Sequence, residues 1–241
     1  MSSSSSSSAP FSAAYPNTPP YKIPAATLAH FRSHPWTIPY LSLPTHITTK
    51  TSSRDSDPAT GEDAFFARTL GTSSTIPHCL TIRKTNPSIP PSTPPLPYPP
   101  PGTGPNHLPP AATIPATEID LYALFALSKP GISGHPDTAH GGVVATLLDE
   151  VMSLAVSCHV PGYGENEKVE RSRLYTVQLD VRYKKPVKLA RCAVVKAWCV
   201  AKSGRKFFMR GVLVQEDEGG KGEAVCTEAY GVWVQARKGN L

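Results

Sequence analysis

The residues between Asp137 and Asp149 combine features that a catalytic site could use. Two adjacent glycines, Gly141 and Gly142, follow His140 and open an apolar run that contains small residues. That order predicts a tight turn leading into a helix, whose first backbone N–H groups have no partner within the helix. Those N–H groups and the positive end of the helix dipole can stabilise an oxyanion or a polarised carbonyl. The turn is therefore a candidate oxyanion-binding site.

Asp149 is the second candidate, because it lies about two turns further along the predicted helix among apolar residues. A carboxylate in apolar surroundings costs free energy unless it is paired or used in chemistry. Two structural explanations compete with this interpretation. Two glycines before a helix are common turn residues, and Asp149 could face solvent beside Glu150, because neighbouring helical side chains point about 100° apart. The isolated features leave both explanations open.

The pattern His-Gly-Gly, an apolar helix and an Asp nine residues after the His resembles the hotdog-fold acyl-CoA thioesterase superfamily. The similarity is to phenylacetate-pathway thioesterases, to mammalian thioesterase-superfamily-member proteins and to 4-hydroxybenzoyl-CoA thioesterase-type domains. Residues 174–187 resemble the family's strand after the central helix, with its Thr and its Tyr-Lys-x-Pro ending, and residues 119–131 resemble the strand and loop before it. The resemblance covers roughly residues 76–236.

The segments around this motif predict an α+β fold. After the helix, four runs alternate apolar and polar residues with period two, which is typical of an antiparallel meander. The apolar faces of these runs are Val177, Leu179, Val181 and Tyr183; Ala193, Val195, Ala197 and Cys199; Phe207, Met209, Gly211 and Leu213; and Val225, Thr227, Ala229, Gly231 and Trp233. One apolar helix against such a sheet makes a two-layer unit. The resemblance implies a hotdog fold, a sheet wrapped around one central helix.

Composition divides the chain into an extension and one domain. Residues 1–54 are rich in Ser, Pro and Thr and contain no acidic residue, so we expect an N-terminal extension that is disordered or extended. Residues 55–241 are expected to form the hotdog domain. Residues 87–110 are half proline, which predicts an extended, passive loop inserted between two strands. Residues 61–70 predict a short helix packed on the core by its Phe pair, and residues 28–41 are expected to lie against the domain.

The resemblance also implies roles for individual residues. The thioester carbonyl would accept a hydrogen bond from the Gly141 N–H, with Gly142 as a second donor, and His140 would hold the loop or contact the thioester region. Asp149 would act either as a general base on water or as a nucleophile that forms a mixed anhydride. Thr176 would position the water or the carboxylate. By itself Thr176 is equally an ordinary β-branched strand residue.

Substrate contacts are assigned to residues on the same helix and the following strand. Val143 and Leu147 are the helical candidates, and Arg182, Lys184 and Lys185 are the basic candidates. Several family members carry an Asn or Gln near the thioester sulfur, whereas this chain has Gly, His, Pro and Asp at 134–137. The hydrogen bonding around the sulfur should therefore differ from that of those relatives.

The spacing of Gly141 and Asp149 predicts an oligomer. Eight residues of helix separate them by about 12 Å, which is too far for both to act on one carbonyl carbon. If two copies pair with their central helices antiparallel, the helix start of one chain approaches Asp149 of the other, and a two-fold dimer has two equal sites. We therefore predict a homodimer or a dimer of dimers, and the resemblance implies the same arrangement.

Basic residues concentrate in two places on this chain of net charge +6. One group is Arg182, Lys184, Lys185, Lys188 and Arg191, and the other is Lys202, Arg205, Lys206 and Arg210. Such groups are often solvated faces, but they also suit the phosphates of coenzyme A or an acidic acyl carrier protein. No nucleic-acid-binding motif accompanies them, so no nucleic-acid partner is expected.

Cysteine and histidine spacing predicts neither disulfides nor a metal site. Five scattered cysteines, none in C-x-x-C spacing, favour reduced thiols packed as small apolar groups. His135 and His140 lie in a loop with no third ligand, and the other histidines, His30, His34, His46, His78, His107 and His159, are expected to have ordinary loop or surface positions. No cofactor is expected.

The absence of an 18-residue apolar run predicts no membrane span, and the start lacks the order of a signal peptide. We therefore expect a soluble, cytoplasmic protein. Mitochondrial location is the alternative, because the acid-free, Ser-rich start resembles a transit peptide, although it is poor in Arg.

These observations predict an acyl-CoA or acyl-carrier-protein thioesterase that hydrolyses a thioester to a free acid and a thiol. One alternative is another hotdog enzyme of lipid or polyketide metabolism, which would hydrate, dehydrate or release a CoA-bound or carrier-bound acyl group. The other is a non-catalytic acyl-thioester-binding protein recruited through its proline-rich insert.

Overall fold

A seven-stranded antiparallel sheet forms the frame of the protein. The computed structural model describes residues 21–100, 118–160, 173–220 and 222–237. The strands in chain order are β1 (His46–Thr49), β2 (Cys79–Lys84), β3 (Leu121–Leu127), β4 (Ser133–His135), β5 (Thr138–Ala139), β6 (Leu174–Tyr183), β7 (Arg191–Ser203), β8 (Lys206–Glu216) and β9 (Glu223–Gln235). The large sheet has the order β1-β2-β3-β7-β8-β9-β6, and β4 and β5 form a separate hairpin before the main helix.

Helix α2 (Gly141–Ser157) packs on one face of the large sheet, here called the inner face. Its apolar residues recur at the three- and four-residue spacing that makes one continuous apolar stripe: Val144, Leu147, Leu148, Val151, Met152 and Ala155. The helix comes so close to the sheet that a Cβ on Gly211 would lie 2.8 Å from the Met152 sulfur. The predicted α+β class, with an antiparallel sheet wrapped around one helix, is confirmed.

Strand β6 lies at the edge of the sheet, although it directly follows the helix in the described chain. Within the described ranges it pairs with β9 on one side only, and none of the described strands pairs with its other side, where a further strand could add. Three large apolar side chains on it are exposed: Tyr175 by 50%, Val177 by 59% and Tyr183 by 54%. This edge is therefore one at which strand pairing can continue.

The predicted face of β6 differs from the observed one at Val177. The register with β9 shifts between Thr176 and Gln178, which is a β-bulge. One extra residue changes the phase of the alternation, so Thr176, and not Val177, shares the inner face with Leu179 and Val181. The alternation of apolar and polar residues in the sequence does not show where a strand contains an extra residue, so the bulge could not be predicted.

The N-terminal segment covers the opposite, outer face of the sheet. It comprises α1 (Ala25–Arg32), a 3-10 helix (Pro35–Ser42) and β1, which pairs with β2. Phe31 is fully buried there, and Tyr40 is 7% exposed. The expectation that residues 28–41 lie against the domain agrees with this packing. Residues 21–54, which the composition assigned to an extension, thus include an edge strand of the sheet; residues 1–20 lie outside the described residues.

The proline-rich segment also contacts the outer face over its described part, residues 85–100. The Tyr98 hydroxyl donates to the backbone carbonyl of Met209, and its ring packs edge-on against Phe208 at 5.3 Å between centroids. The Lys202 N–H donates to the carbonyl of Pro91 at 2.8 Å. These contacts differ from the expected passive loop. The rest of the predicted insert, residues 101–110, lies outside the described residues.

The predicted short helix at 61–70 is a single wide turn, Phe65–Thr69, with π-type hydrogen bonding. Phe66 and Leu70 are buried in the core, whereas Phe65 is 52% exposed, so only one member of the Phe pair packs inward. Within the ranges that the structure describes, none of the helices has the length and apolar character of a membrane span.

Candidate active site

The turn before α2 is held by hydrogen bonds from both sides. His140 is the N-cap residue of the helix, and its Nδ1 accepts from the Gly142 N–H at 3.0 Å. The backbone N–H of His140 donates to the backbone carbonyl of Ile132 at 2.9 Å. The Gly142 donor is thus used by the cap, and Gly141 supplies the first helical N–H, which has no carbonyl partner within a helix. His140 shapes the loop, as one of its two predicted roles requires.

Gly141 lines a cleft of about 320 Å³ between the helix start and the end of β6. The Tyr183 hydroxyl donates to the Gly141 carbonyl at 2.8 Å, so this side chain fixes the first residue of the helix against the edge strand. The cleft is lined by Thr138, Ala139, Gly141, Val144, Tyr183, Lys184, Lys185, Pro186 and Val187. The structure therefore brings the predicted oxyanion donor together with two of the three predicted basic residues.

Asp149 and Thr176 form the second half of the candidate site. The Thr176 hydroxyl donates to Asp149 Oδ1 at 2.9 Å across the gap between α2 and β6. Burial raises the pKa of the half-buried Asp149 carboxyl, and the Thr176 hydrogen bond opposes that shift by stabilising the charged form. The result is a carboxylate with a fixed orientation and a basicity above that of an exposed aspartate, which suits proton abstraction from water.

The predicted substrate contacts divide between the cleft and the core. Val143 is half-buried at the rim of the inner core, whereas Leu147 is fully buried beneath the helix. Leu147 can therefore only support the wall of a substrate pocket from behind.

Arg182 lies apart from the cleft. Its guanidinium pairs with Asp180 at 2.7 Å, donates to the Pro100 carbonyl at 2.5 Å and lies 4.9 Å from the centre of the Tyr230 ring. Because successive residues of a strand point to opposite faces, Arg182 lies on the outer face, whereas Tyr183 faces the candidate site. The basic run 182–185 thus contributes to two different surfaces.

Two residues near the site had no role in the sequence argument. Tyr183 entered it only as part of the strand pattern, and its position on the face of Val181 was the signal available for it. Glu150 is half-buried, and burial raises the pKa of its carboxyl to about 7, with Ser53 and Arg54 of the N-terminal segment beside it. No sequence signal connects Glu150 with residues almost a hundred positions earlier.

Residues 137–221 match the family model described as the thioesterase superfamily. This matched region, residues 137–221, is here called the thioesterase-superfamily region. It contains α2 with its first residues, Asp149, Thr176 and the two lysines of the cleft. The resemblance to the thioesterase superfamily is therefore confirmed over the residues of the candidate site.

Three similar proteins accompany this match. An uncharacterized protein of Schizosaccharomyces pombe is 28% identical over 110 residues, which are 46% of this chain and 57% of that protein. The crystal structure of a thioesterase superfamily protein is 27% identical, with a TM-score of 0.38, and covers 47% of this chain and 50% of its own. A Staphylococcus aureus acyl-CoA hydrolase, solved with butyryl coenzyme A, coenzyme A and coenzyme A disulfide, is 15% identical, with a TM-score of 0.42, over 50% of this chain and 67% of its own. The chain thus spans little more than half the length of the curated Schizosaccharomyces pombe relative.

Proposed function

We propose that this protein hydrolyses acyl thioesters of coenzyme A, or of an acyl carrier protein, to a free acid and a thiol. The observation that carries the proposal is the half-buried Asp149 carboxylate, which Thr176 holds at 2.9 Å inside the thioesterase-superfamily region. A carboxylate in this state can take a proton from water as the water attacks a carbonyl carbon.

The other half of the reaction needs a donor for the carbonyl oxygen. The Gly141 N–H at the positive end of α2 supplies it, and the cleft beside it leaves room for the thioester. Attack of water gives a tetrahedral oxyanion bound at this N–H, and the attacking proton passes to Asp149. Collapse of the intermediate breaks the carbon–sulfur bond, and the leaving thiolate takes the proton from Asp149, which returns that carboxylate to its charged form.

A second copy of the chain completes the site in this proposal. Gly141 and Asp149 are separated by eight residues of one helix, about 12 Å along its axis. Along β6 the two half-sites lie at opposite ends, with Thr176 near the start and Tyr183 at the end. Antiparallel pairing of two β6 edges about a two-fold axis between Leu179 and Asp180 brings Thr176 of one copy opposite Tyr183 of the other.

Coenzyme A and an acidic carrier protein are the thiol carriers that the cleft favours. Lys184 and Lys185 are two basic residues among those that line the cleft containing Gly141. Phosphate groups and acidic side chains are the usual partners of such pairs. The acyl group would then extend along the inner face of the sheet, past Val143 toward Asp149 of the partner copy.

The test of the activity is thiol release over a panel of short, long and aromatic acyl-CoAs and an acylated carrier protein. Asp149→Asn preserves the side-chain volume, and we expect it to lower kcat by a factor on the order of 10² or more. Glu150→Gln is the matched control on the neighbouring residue and should leave kcat within a few-fold. Equal kcat values for wild type and Asp149→Asn would remove this carboxylate from the mechanism.

Two further measurements separate the remaining chemical alternatives. In a single turnover in isotopically labelled water, a base mechanism places the label in the acid product only, whereas a mixed anhydride that water opens at the Asp149 carbonyl carbon places it in Asp149. Formation of an enoyl product without thiol release, seen as a change in ultraviolet absorbance, would instead identify a hydration or dehydration enzyme.

The composite site is tested by mixing two inactive variants. Asp149→Asn loses the base, and Gly141→Pro loses the donor N–H. A heterodimer of the two has one site with both groups intact, so mixing after partial unfolding and refolding should restore up to about one quarter of the wild-type activity if the subunits pair at random. A fully active monomer in light scattering would contradict this arrangement.

A further inference from the structure

Three side chains with metal-ligating atoms meet on the outer face of the sheet, away from the candidate active site. His30 and His34 are four residues apart at the end of α1, and Cys192 is the second residue of β7. One ligating atom of each of these side chains lies within 4.8 Å of those of the other two. None of these residues has a part in the proposed thioester hydrolysis.

The separation of the ligating atoms fits a tetrahedral zinc ion. Zinc–sulfur bonds of about 2.3 Å and zinc–nitrogen bonds of about 2.0–2.1 Å place a sulfur and a nitrogen ligand about 3.5 Å apart in a tetrahedron. His30 Nε2 and Cys192 Sγ are 3.6 Å apart. The His34 ring therefore has to move by about 1.5 Å at most to bring all three ligating atoms, which lie within 4.8 Å of one another, to bonding positions.

One ring nitrogen of His34 contacts a backbone carbonyl, which defines the tautomer of the ring. Its Nδ1 lies 3.0 Å from the backbone carbonyl of His30. A carbonyl oxygen can only accept, so Nδ1 carries the hydrogen and Nε2 keeps a lone pair. A ligating histidine typically donates its other ring N–H to a backbone carbonyl or a carboxylate, which fixes the orientation of the ring. His34 already has that arrangement.

A third histidine, His78, packs against the ring of His30. The ring of His30 lies 4.8 Å from the ring of His78, nearly parallel to it, and His78 Nδ1 is 3.1 Å from the Thr27 hydroxyl. His78 therefore lies beside the cluster of His30, His34 and Cys192 without being one of its members.

We propose that His30, His34 and Cys192 form a zinc-binding site, with water as the fourth ligand. Binding of the ion releases the thiol proton of Cys192 to solvent as the zinc–sulfur bond forms, and both imidazoles bind in their neutral form. The ion joins the end of α1 to the start of β7, so it fastens the N-terminal segment to the outer face of the sheet. Because Asp149 lies on the inner face, the site is structural and independent of thioester hydrolysis.

The experiment uses the full chain, purified without a histidine tag and stripped of metal with a chelator. Titration with zinc chloride against a chromogenic competitor should show one ion per chain bound with micromolar or tighter affinity. Titration with cobalt chloride should give the near-ultraviolet sulfur-to-cobalt band and the intense visible bands of a tetrahedral site. Zinc should also raise Tm, because a ligand that binds only the folded state stabilises it.

Two ligand variants and two matched controls decide the outcome. Cys192→Ser should abolish the sulfur-to-cobalt band and weaken zinc binding by at least about 100-fold, and His34→Gln should weaken it by a similar factor. Cys226→Ser and His135→Gln, which lie outside the cluster, should bind zinc as the wild type does. If Cys192→Ser does not fold, the more exposed His34→Gln carries the test.

The proposal is overturned if the wild type binds no zinc at micromolar concentrations, or if His34→Gln binds it as tightly as the wild type. It is also overturned if the cobalt complex lacks the sulfur band. Thiol release by the wild type should be the same with and without zinc, so a failure of the proposed hydrolase activity leaves this test unaffected.

Discussion

The two faces of the central sheet are covered in different ways. One continuous helix, α2, covers the inner face, and its stripe of apolar residues fills the space between helix and sheet. Separate segments from the N-terminus and the proline-rich region cover the outer face. Both coverings bury large apolar side chains, but the candidate active site lies beside the inner one.

Polar groups on the outer face are paired with one another. Lys196 and Glu223 lie 2.5 Å apart and Tyr40 donates to the same carboxylate, while Arg210 pairs with Glu228 at 2.8 Å. On the inner face, Asp149 has one hydroxyl partner from Thr176, and Gly141 lines an open cleft. We therefore expect the reaction on the inner face, where polar groups can contact a substrate. The polar groups of the outer face pair with each other and contribute to stability.

The largest effect should come from removing the central side chain of the outer covering. Phe31 is fully buried against the sheet, so Phe31→Ala should leave a cavity and lower the free energy of unfolding by about 3–5 kcal/mol. The folded fraction should retain its kcat, because Phe31 is on the face opposite the site. Urea unfolding and activity per folded molecule measure the two quantities.

Ile38→Ala is the control for this variant, because Ile38 belongs to the same segment and is 46% exposed. Its stability should change by less than about 1 kcal/mol. A loss of kcat in folded Phe31→Ala would show that the outer covering also shapes the active site.

A smaller effect is expected from the hydroxyl that contacts Asp149. Thr176→Val keeps the shape of the side chain and removes the hydrogen bond, so we expect kcat to fall about 10-fold. The same bond lowers the pKa of Asp149, and its loss should raise that pKa further. Activity requires the deprotonated form, so it rises with pH, and the acid limb of the variant should lie at higher pH than that of the wild type.

Tyr175→Phe is the control on the neighbouring, exposed residue of the edge strand, and it should leave the pH profile of kcat unchanged. If the acid limb of the pH profile of kcat lies at the same pH in Thr176→Val and in the wild type, a group other than Asp149 controls the rate at low pH.

The smallest effect should distinguish two neighbours in the basic run. Lys185→Ala removes a basic residue that lines the cleft and should raise KM for acyl-CoA by about two- to five-fold, less at high salt. Arg182→Ala should leave KM unchanged, because its guanidinium contacts Asp180 and Pro100 on the outer face. The reverse order of effects would place the substrate phosphates on the outer surface.

Sequence patterns predicted the parts of the fold that depend on local periodicity. The apolar stripe of α2, the meander of β7, β8 and β9 and the glycine turn before the helix all follow from residue spacing within a single element. The same reasoning placed Asp149 and Gly141 on one helix, which the structure confirms.

Contacts between distant segments could not be predicted in this way. The extra residue at Val177 reverses the alternation along β6, and only pairing with β9 reveals it. The chain 21–54 is low in charge and rich in Ser, Thr and Pro, so its packing on the sheet depends on a few anchors such as Phe31 and Tyr40 and not on a periodic pattern. Likewise, His34 and Cys192 are far apart in sequence, and only the fold brings them together.

The bulge in β6 also bears on the solubility of the protein. An unpaired apolar edge strand invites any extended chain to add to it, which is how sheets aggregate. At Val177 the extra residue interrupts the even spacing of hydrogen-bonding groups along this edge, so a regular strand can match it only in part. In the antiparallel pairing proposed for two copies, Val177 of each copy would lie opposite Arg182 of the other, so each bulge would meet a regular part of the partner strand. The irregularity therefore opposes the open-ended addition of regular strands along this edge.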